Sequence, residues 1–274
     1  PEFVNSYFPE VIIGIQDVLL EQGYQVLVMQ SNECYTTELQ NVKALEDNMV
    51  DGIIISLSRE AHNNDHYLGM LEKGYPIVFF NRADESIPAS RVVFDDYKWA
   101  YFATEHLIKQ GFKKIFHLSG YRHLSLSQNR IRGFRKAMDK FSVPYTPEHI
   151  IETGFFMEEG QAAMERLIAE GNVPEAIFAA NDPTAIGAMK AIKRAGLRIP
   201  EDVALVGFSE SRMAEVVDPP LTSVRQPTHK IGRTAAQLLL QQIMADGFAP
   251  PKTVVLDGQL NVRASSIVRQ KERN

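Results

Sequence analysis

The sequence predicts an α/β fold of two similar lobes, each built on a mostly parallel sheet. Short apolar runs end repeatedly in a small polar residue and are followed by a segment with helical periodicity, which is typical of right-handed βαβ units. This alternation restarts near Lys113, which indicates a second lobe. The five clearest runs are Asp51–Ser56, Ile77–Arg82, Lys114–Gly120, Glu175–Asp182 and Val203–Ser209.

Composition is that of a globular protein with a sizeable core. The chain has 274 residues, with 45% hydrophobic and 23% charged residues, enough for one large or two medium domains. Its net charge of -5 argues against nucleic-acid binding by these residues alone. The single cysteine, Cys34, allows no internal disulfide and fits a reducing, cytoplasmic compartment. No apolar run approaches the roughly 20 residues of a membrane span.

The first predicted helix covers Pro9–Gln22 and leaves two apolar residues off its main stripe. Ile13 and Leu20 lie outside the stripe, so the helix is either deeply buried or meets a partner. A strand is expected at Gln25–Met29. Because a helix in this pattern should follow a strand, we also expect an apolar strand just upstream of Pro1. The stripe itself comprises Val11, Ile12, Ile15, Val18 and Leu19.

Further helices and strands follow from apolar spacing, glycine stops and proline starts. One helix is predicted at Gln128–Phe141, which places Arg130 in its first turn, and another starts at Pro183 with Asp182 as its N-cap. The other predicted helices lie near 36–49, 97–110, 158–170 and 228–246, and His62–Gly74 is predicted as a loop leading into a helix. The last predicted strands are Thr253–Asp257 and Gln259–Arg263.

Several segments together resemble the effector-binding region of the LacI/GalR family of bacterial transcription regulators. The residues that carry the resemblance are SYFPEVIIGI, DGIIIS, FFNR, VVFDD, NRIRGFRKAM, AIFAANDPTAIGAMKAI, PEDVALVGFSES and PPLTSVRQP. The resemblance implies the fold of type I periplasmic binding proteins. In that fold, two Rossmann-like lobes with parallel sheets are joined by three crossover strands, and the ligand lies in the cleft.

The resemblance also implies lobe boundaries for this sequence. The N-terminal lobe would comprise residues 1–93 plus 226–256, and the C-terminal lobe residues 94–222 plus 258–274. The crossings would fall near Phe94, at Thr222–Gln226 and near Asp257. The family's DNA-binding headpiece has no counterpart in these residues and is expected upstream of Pro1.

Candidate ligand-binding residues come from the ends of the predicted strands and from the resemblance. Parallel α/β sheets bind ligands beyond the carboxyl ends of their strands. Arg130 matches a family arginine that binds the effector, and a guanidinium suits vicinal hydroxyls or carboxylates. Aromatic side chains, among them Phe155, would stack on a sugar ring or a purine. The expected contacts are Tyr7, Phe8, Ser56, Asn81, Arg82, Phe94, Arg130, Phe156, Asn181, Ser209 and Gln226.

Some of these residues have an ordinary alternative. Arg82 could instead form an ion pair across the lobes, and Phe94 could be a core residue. Ser209 departs from the family, because sugar-binding members commonly carry aspartate there. Either Glu210 replaces that carboxylate or the effector is not a typical hexose, and the sequence leaves both open.

Enzymatic function is not expected. Gly207–Ser211 resembles the nucleophile elbow G-x-S-x-G, but serine replaces its last glycine. Asp218 could supply the acid before His229, but the two prolines after it and a short loop crowd that position. No glycine-rich phosphate-binding motif is present, so we expect no nucleotide cofactor. His62 and His66 have i, i+4 spacing with Asp65 between them, but they lie in a polar loop with two asparagines, so we expect no metal site either.

The function that the resemblance implies is ligand sensing in a dimeric DNA-binding regulator. A small metabolite, a sugar or a related compound, would bind between the lobes and change operator binding through the headpiece. The first helix would lie near the dimer seam, and no membrane is involved. The alternative is an exported sugar-binding protein of a transporter, which shares the fold.

Overall fold

The protein divides into two compact units in a computed structural model that describes residues 6–61, 63–245 and 250–267. Unit 1 comprises Pro1–Phe94 and Pro227–Asp257, and unit 2 comprises Asp95–Gln226 and Gly258–Asn274. The chain therefore passes between the units at three points.

Unit 1 is built on a sheet whose described strands are all parallel, in the order β1–β2–β3–β9. Helices cover this sheet, and the core contains side chains of the first and last helices packed on β2 and β3. The strands are β1 (Ile53–Ile55), β2 (Ile77–Phe80), β3 (Ser90–Phe94) and β9 (Thr253–Leu256), and the helices are α1 (Tyr7–Glu21), α2 (Tyr35–Asp47), α3 (Asp65–Glu72) and α9 (Thr228–Ile243).

Unit 2 is built on a larger sheet in the order β10–β8–β7–β6–β4–β5, in which only β10 is antiparallel to its neighbour. Its central strands are buried along their whole length, as expected for a parallel sheet covered on both faces. The strands are β4 (Ile115–Ser119), β5 (Ile150–Glu152), β6 (Ala176–Ala179), β7 (Ala204–Phe208), β8 (Thr222–Arg225) and β10 (Gln259–Asn261). The helices are α4 (Asp96–Lys109), α5 (Ser125–Lys140), α6 (Met157–Ala169), α7 (Asp182–Arg194) and α8 (Met213–Val216).

The α/β class and the two parallel sheets confirm the fold predicted from the sequence. The pattern did not predict β3 or β5 as strands, and it started two helices too late. Helix α1 begins at Tyr7 rather than Pro9, and α5 begins at Ser125 rather than Gln128. Arg130 therefore lies in the second turn of α5, away from the unfavourable end of the helix dipole.

The prediction of a strand at Gln25–Met29 was wrong. These residues do not pair with a neighbouring strand in the described structure, although their apolar composition favours a strand. They line one wall of an apolar groove of about 670 Å³, and β1 lines the groove as well. A strand needs a partner edge for its backbone groups, and β1 pairs only with β2 in the described sheet.

Candidate functional site

The carboxyl edge of the unit 2 sheet collects polar side chains. Ser119 ends β4, Asn181 follows β6 and Ser209 follows β7, so all three lie beyond the carboxyl ends of parallel strands. This is the edge at which open α/β sheets bind ligands. Arg130 reaches the same edge from α5, because it donates a hydrogen bond to the backbone oxygen of Ala180, just after β6.

Arg130 is a buried guanidinium with a fixed orientation. Its residue is only 4% exposed, and its Nε donates to Asp96 Oδ1 at 2.8 Å. Its Nη2 lies 2.7 Å from the same oxygen, and Nη1 donates to the oxygen of Ala180. The guanidinium carbon lies 3.8 Å from the ring centroid of Phe208. Packing and hydrogen bonds thus hold the group rigidly before any ligand arrives.

The hydrogen bonds of Arg130 do not exhaust its donors. A guanidinium carries five N–H groups, and these contacts use three of them, two to Asp96 and one to Ala180. Burial raises the pKa of the Asp96 carboxyl, while the adjacent guanidinium opposes that rise. The other two N–H groups make none of these contacts with the described residues, and a buried donor without a partner is costly.

The structure corrects the role predicted for Asp182. Asn181, not Asp182, is the N-cap of α7, because its side-chain oxygen accepts the N–H of Thr184 at 2.9 Å. Its amide nitrogen donates to the oxygen of Phe155 at 2.8 Å. Asp182 is the first helical residue and is fully buried. The correction has a simple cause: both residue types can cap a helix, and the one with extended backbone does so.

The turn after β7 has an unusual backbone. Ser209 has φ of 92° and Glu210 has φ of 55°, a region that costs a residue with a side chain of the order of 1–3 kcal/mol. The N–H of Ser209 donates to the oxygen of Val224 at 2.8 Å, and the N–H of Glu210 donates to Ser223 Oγ at 3.2 Å. Hydrogen bonds to β8 therefore offset the strain.

The Glu210 side chain already has a partner within unit 2. It forms an ion pair with Arg263, which also lies 3.0 Å from Glu215. Arg263 thus lies against two carboxylates.

The two aromatic residues predicted at this edge lie between β5 and α6. Phe155 is half-buried, and its ring packs edge-on against Tyr121 with centroids 5.6 Å apart. Phe156 is also half-buried, and its N–H donates to Glu159 at 2.8 Å. The backbone of both residues is thus fixed, and their rings remain candidates for stacking on a ligand.

Gln226 closes unit 2 just after β8. The residue is 3% exposed, and its Nε2 finds no hydrogen-bond partner among the described residues. Buried polar groups are normally paired, so an orphaned amide calls for a specific explanation. A bound ligand would supply the missing acceptor.

In unit 1, three of the predicted ligand-binding residues come just after the ends of strands β1 and β2. Ser56 follows β1 and is buried, with no partner for its hydroxyl among the described residues. Asn81 follows β2 with φ of 57°. Arg82 pairs with Glu33 of the same unit, at 2.5 Å. Burial acts to raise the pKa of Glu33, but the Arg82 guanidinium outweighs it, and the pKa is lowered.

The predicted aromatic contacts of unit 1 are core residues in large part. Tyr7 and Phe8 are buried at the start of α1, with ring centroids 5.1 Å apart. Phe8 also packs edge-on against Phe80 at 6.1 Å. Phe94 is buried at the end of β3, opposite Leu256. Their packing in unit 1 accounts for these side chains without a ligand.

Sequence reasoning missed the partners of both arginines. Asp96 and Glu33 hold Arg130 and Arg82 through contacts between residues 34 and 49 positions apart. For Asp96 a signal existed, because two adjacent aspartates open α4 and only Asp95 is needed as N-cap. Glu33 gave no comparable signal, since it lies in a polar loop.

Two functions receive no support from the described residues. No cluster of three or more His, Cys, Asp or Glu side chains in the described ranges could hold a metal ion. No helix in the described part of the chain is long and apolar enough to cross a membrane.

The chain is similar to known regulators over most of its length. A family model for a periplasmic binding protein-like domain matches residues 104–266. The HTH-type transcriptional repressor PurR of Vibrio vulnificus (strain CMCP6) is 31% identical over 241 residues, which are 87% of this chain and 71% of that protein.

Solved structures give the same result. The transcriptional regulator CelR in complex with cellobiose is 30% identical with a TM-score of 0.87, over 96% of this chain and 80% of that chain. A LacI family transcriptional regulator from Enterococcus faecium with bound ribose is 25% identical with a TM-score of 0.85, over 97% and 96%.

The fold, the site at the edge of the sheet and the relatives together define a ligand-sensing domain of a transcription regulator. The chain belongs to the LacI family. It is the periplasmic binding protein-like, effector-binding domain of a regulator of that family. This confirms the resemblance drawn from the sequence, and it favours the regulator over an exported transport protein. The relatives matched are transcriptional repressors and regulators rather than enzymes.

Proposed function

We propose that a small metabolite binds at the carboxyl edge of the unit 2 sheet and controls binding of the full-length regulator to operator DNA. The observation that carries the proposal is Arg130, a buried guanidinium fixed by Asp96 with two N–H donors left over. The orphaned amide of Gln226 supports it. Ser209 and Asn181 complete the proposed contacts, and Phe156 would stack on the ligand.

The chemistry of these groups favours a neutral, oxygen-rich ligand with a flat apolar face. Arg130 is balanced by Asp96, so this pair leaves no net charge at the edge. Guanidinium, hydroxyl and amide groups suit the hydroxyls of a sugar or the carbonyl of a base. Relatives with bound cellobiose and ribose place sugars first among the candidates.

We propose that the full-length regulator binds DNA through a headpiece, and a relative named as an HTH-type transcriptional repressor supports this. We expect a cytoplasmic homodimer, since two-fold regulators read paired half-sites. Ligand binding alters operator affinity only if the ligand binds one conformation of the protein better than another. No cofactor, metal or membrane enters the proposal.

The test is calorimetric titration with a panel of pentoses, hexoses, disaccharides and purine bases, including ribose and cellobiose. For any ligand that binds, Arg130→Ala should weaken the affinity by at least about 30-fold, the scale of a lost charge-assisted hydrogen bond of about 2 kcal/mol or more. Arg132→Ala is the matched control, because Arg132 is exposed on the same helix and stacks on Tyr97. Equal affinities for wild type and Arg130→Ala would refute the assignment of the site.

A further inference from the structure

Asp182 is a fully buried carboxyl that the proposed ligand contacts do not use. Asp182 is the first residue of α7 and is completely inaccessible to solvent. Oδ1 accepts the hydroxyl of Ser223 at 2.6 Å, and Oδ2 accepts the N–H of Ser211. One carboxyl therefore links the start of α7 to strand β8 and to the turn after β7.

The same carboxyl supports the turn at a second point. Ser223 Oγ, which donates to Asp182, accepts the N–H of Glu210 at 3.2 Å. Two consecutive N–H groups of the turn thus depend on Asp182, one directly and one through a hydroxyl. Because Ser209 and Glu210 both have positive φ, the turn needs such anchors to persist.

Gly207 makes room for this arrangement. A Cβ atom at position 207 would lie 2.3 Å from Asp182 Oδ1 and 3.0 Å from a methyl carbon of Leu221. Atoms that are not bonded do not approach so closely, so a side chain at 207 would displace the carboxyl. The glycine in β7 and the aspartate in α7 therefore act as one unit.

We propose that Asp182 is the positioning residue of the turn Ser209–Ser211 and thereby fixes Ser209 at the ligand-binding edge of unit 2. The role of Ser209 as a ligand contact rests on the proposed function, whereas the anchoring of the turn does not. Asp182 touches no ligand in this account and acts only through the turn.

Amide hydrogen exchange of the ligand-free protein tests the proposal. In Asp182→Ala, exchange at Glu210 and Ser211 should accelerate about tenfold or more beyond any change at Leu167 in α6, as expected for loss of a hydrogen bond to a charged group. Asp182→Asn should restore protection, because an amide can accept from Ser211 and donate to the Ser223 hydroxyl. Asp202→Ala is the control, since Asp202 is a surface carboxylate that also accepts a backbone N–H.

Ser223→Ala keeps the test decisive if Asp182→Ala does not fold. This small change removes the acceptor of the Glu210 N–H, so exchange should accelerate at Glu210 more than at Leu167. Equal acceleration of exchange at Glu210, Ser211 and Leu167 in either variant would overturn the proposal. Unchanged exchange rates in the turn would overturn it as well. If the turn responds as expected but Arg130→Ala binds ligand normally, the anchoring stands and the proposed function fails.

Discussion

At the scale of residues, unit 1 and unit 2 each keep one arginine buried by pairing it with a carboxylate. Arg82 pairs with Glu33, and Arg130 pairs with Asp96. Taking both charges out of water is expensive, so such pairs contribute little net stability. Removing one partner is a different matter, because the other charge then stays buried and unpaired.

The pair in unit 1 gives a direct prediction. Glu33→Ala should lower the free energy of unfolding by about 3–5 kcal/mol, since it leaves the Arg82 guanidinium buried without its counter-charge. Urea denaturation at pH 7 measures this. Glu46→Ala is the control, because Glu46 pairs with Lys73 at the surface at 2.9 Å, and its loss should cost about 0–1 kcal/mol. Equal effects of the two substitutions would show that the Glu33 pair is not buried in solution.

Asp182 gives a prediction about pH. Burial raises the pKa of its carboxyl to about 7, against the opposing hydrogen bonds of Ser223 and Ser211, while Glu210 raises it further. In the unfolded chain the same group has a pKa of about 3.9. Between these values the folded protein binds more protons than the unfolded chain, so this group makes stability fall as pH rises from about 4 to 7.

Asp182→Asn should therefore remove a pH-dependent loss of stability. The unfolding free energy of wild type minus that of the variant should decrease from pH 4.5 to 7 and then level off. His117, whose pKa burial lowers to about 3, changes stability in the opposite direction, but it does so equally in both proteins. A difference that stays constant across this range would contradict the raised pKa of Asp182.

The sequence predicts several residue roles, and it fails where a role depends on a distant partner. Arg130 was identified from its motif, yet Asp96 lies 34 positions away and only folding reveals the pair. Asn181 and Asp182 are adjacent and both cap helices well. Which one caps depends on the backbone angle at the end of β6, and the sequence does not encode that angle in any single residue.

At the scale of elements, helix pairs in unit 1 pack closely enough to require glycine. Helices α1 and α9 approach so closely that a Cβ at Gly232 would lie 2.0 Å from the backbone oxygen of Val11. A backbone oxygen in a packed helix has little freedom to move away. The two helices would have to separate to accept a methyl group.

Gly232→Ala should accordingly destabilise the protein by about 2–3 kcal/mol, in the range of overpacked cores. The matched control is Gly69→Ala in α3, where an added Cβ would meet nothing within 4 Å. That change should stabilise by about 0.5–1 kcal/mol through helix propensity. Thermal unfolding followed by circular dichroism distinguishes the two, and a neutral Gly232→Ala would contradict the close packing.

Regular apolar spacing predicted most helices and the central strands, because burial on one or both faces imposes it. It failed at Gln25–Met29, where strand-forming residues have no edge to pair with in the described sheet. Leu27 is 63% exposed beside the apolar groove that β1 also lines.

At the scale of the whole molecule, the outer face of α1 bears on assembly. Ile13 and Leu20 are 49% and 51% exposed, so of the two alternatives for this helix, deep burial does not apply to these side chains. Exposed apolar side chains on an amphipathic helix often mark an interface. Their exposure supports the proposed homodimer.

Light scattering after size-exclusion chromatography tests this assembly. Wild type should elute as a dimer, and the double substitution Ile13→Asp, Leu20→Asp should give a monomer, because two charges would be buried in the seam. Met49→Asp is the control, since Met49 is an exposed apolar residue on another part of unit 1. A dimer that survives the double substitution would place the interface elsewhere.

The most direct test of the central claim uses the full-length regulator and its operator. Operator affinity is measured with and without the metabolite identified by titration, for wild type and for Arg130→Ala. We predict that the metabolite changes the operator dissociation constant of the wild type by about 5-fold or more, a typical allosteric coupling, and leaves that of Arg130→Ala unchanged. An equal response of both proteins would contradict effector sensing at this edge of unit 2.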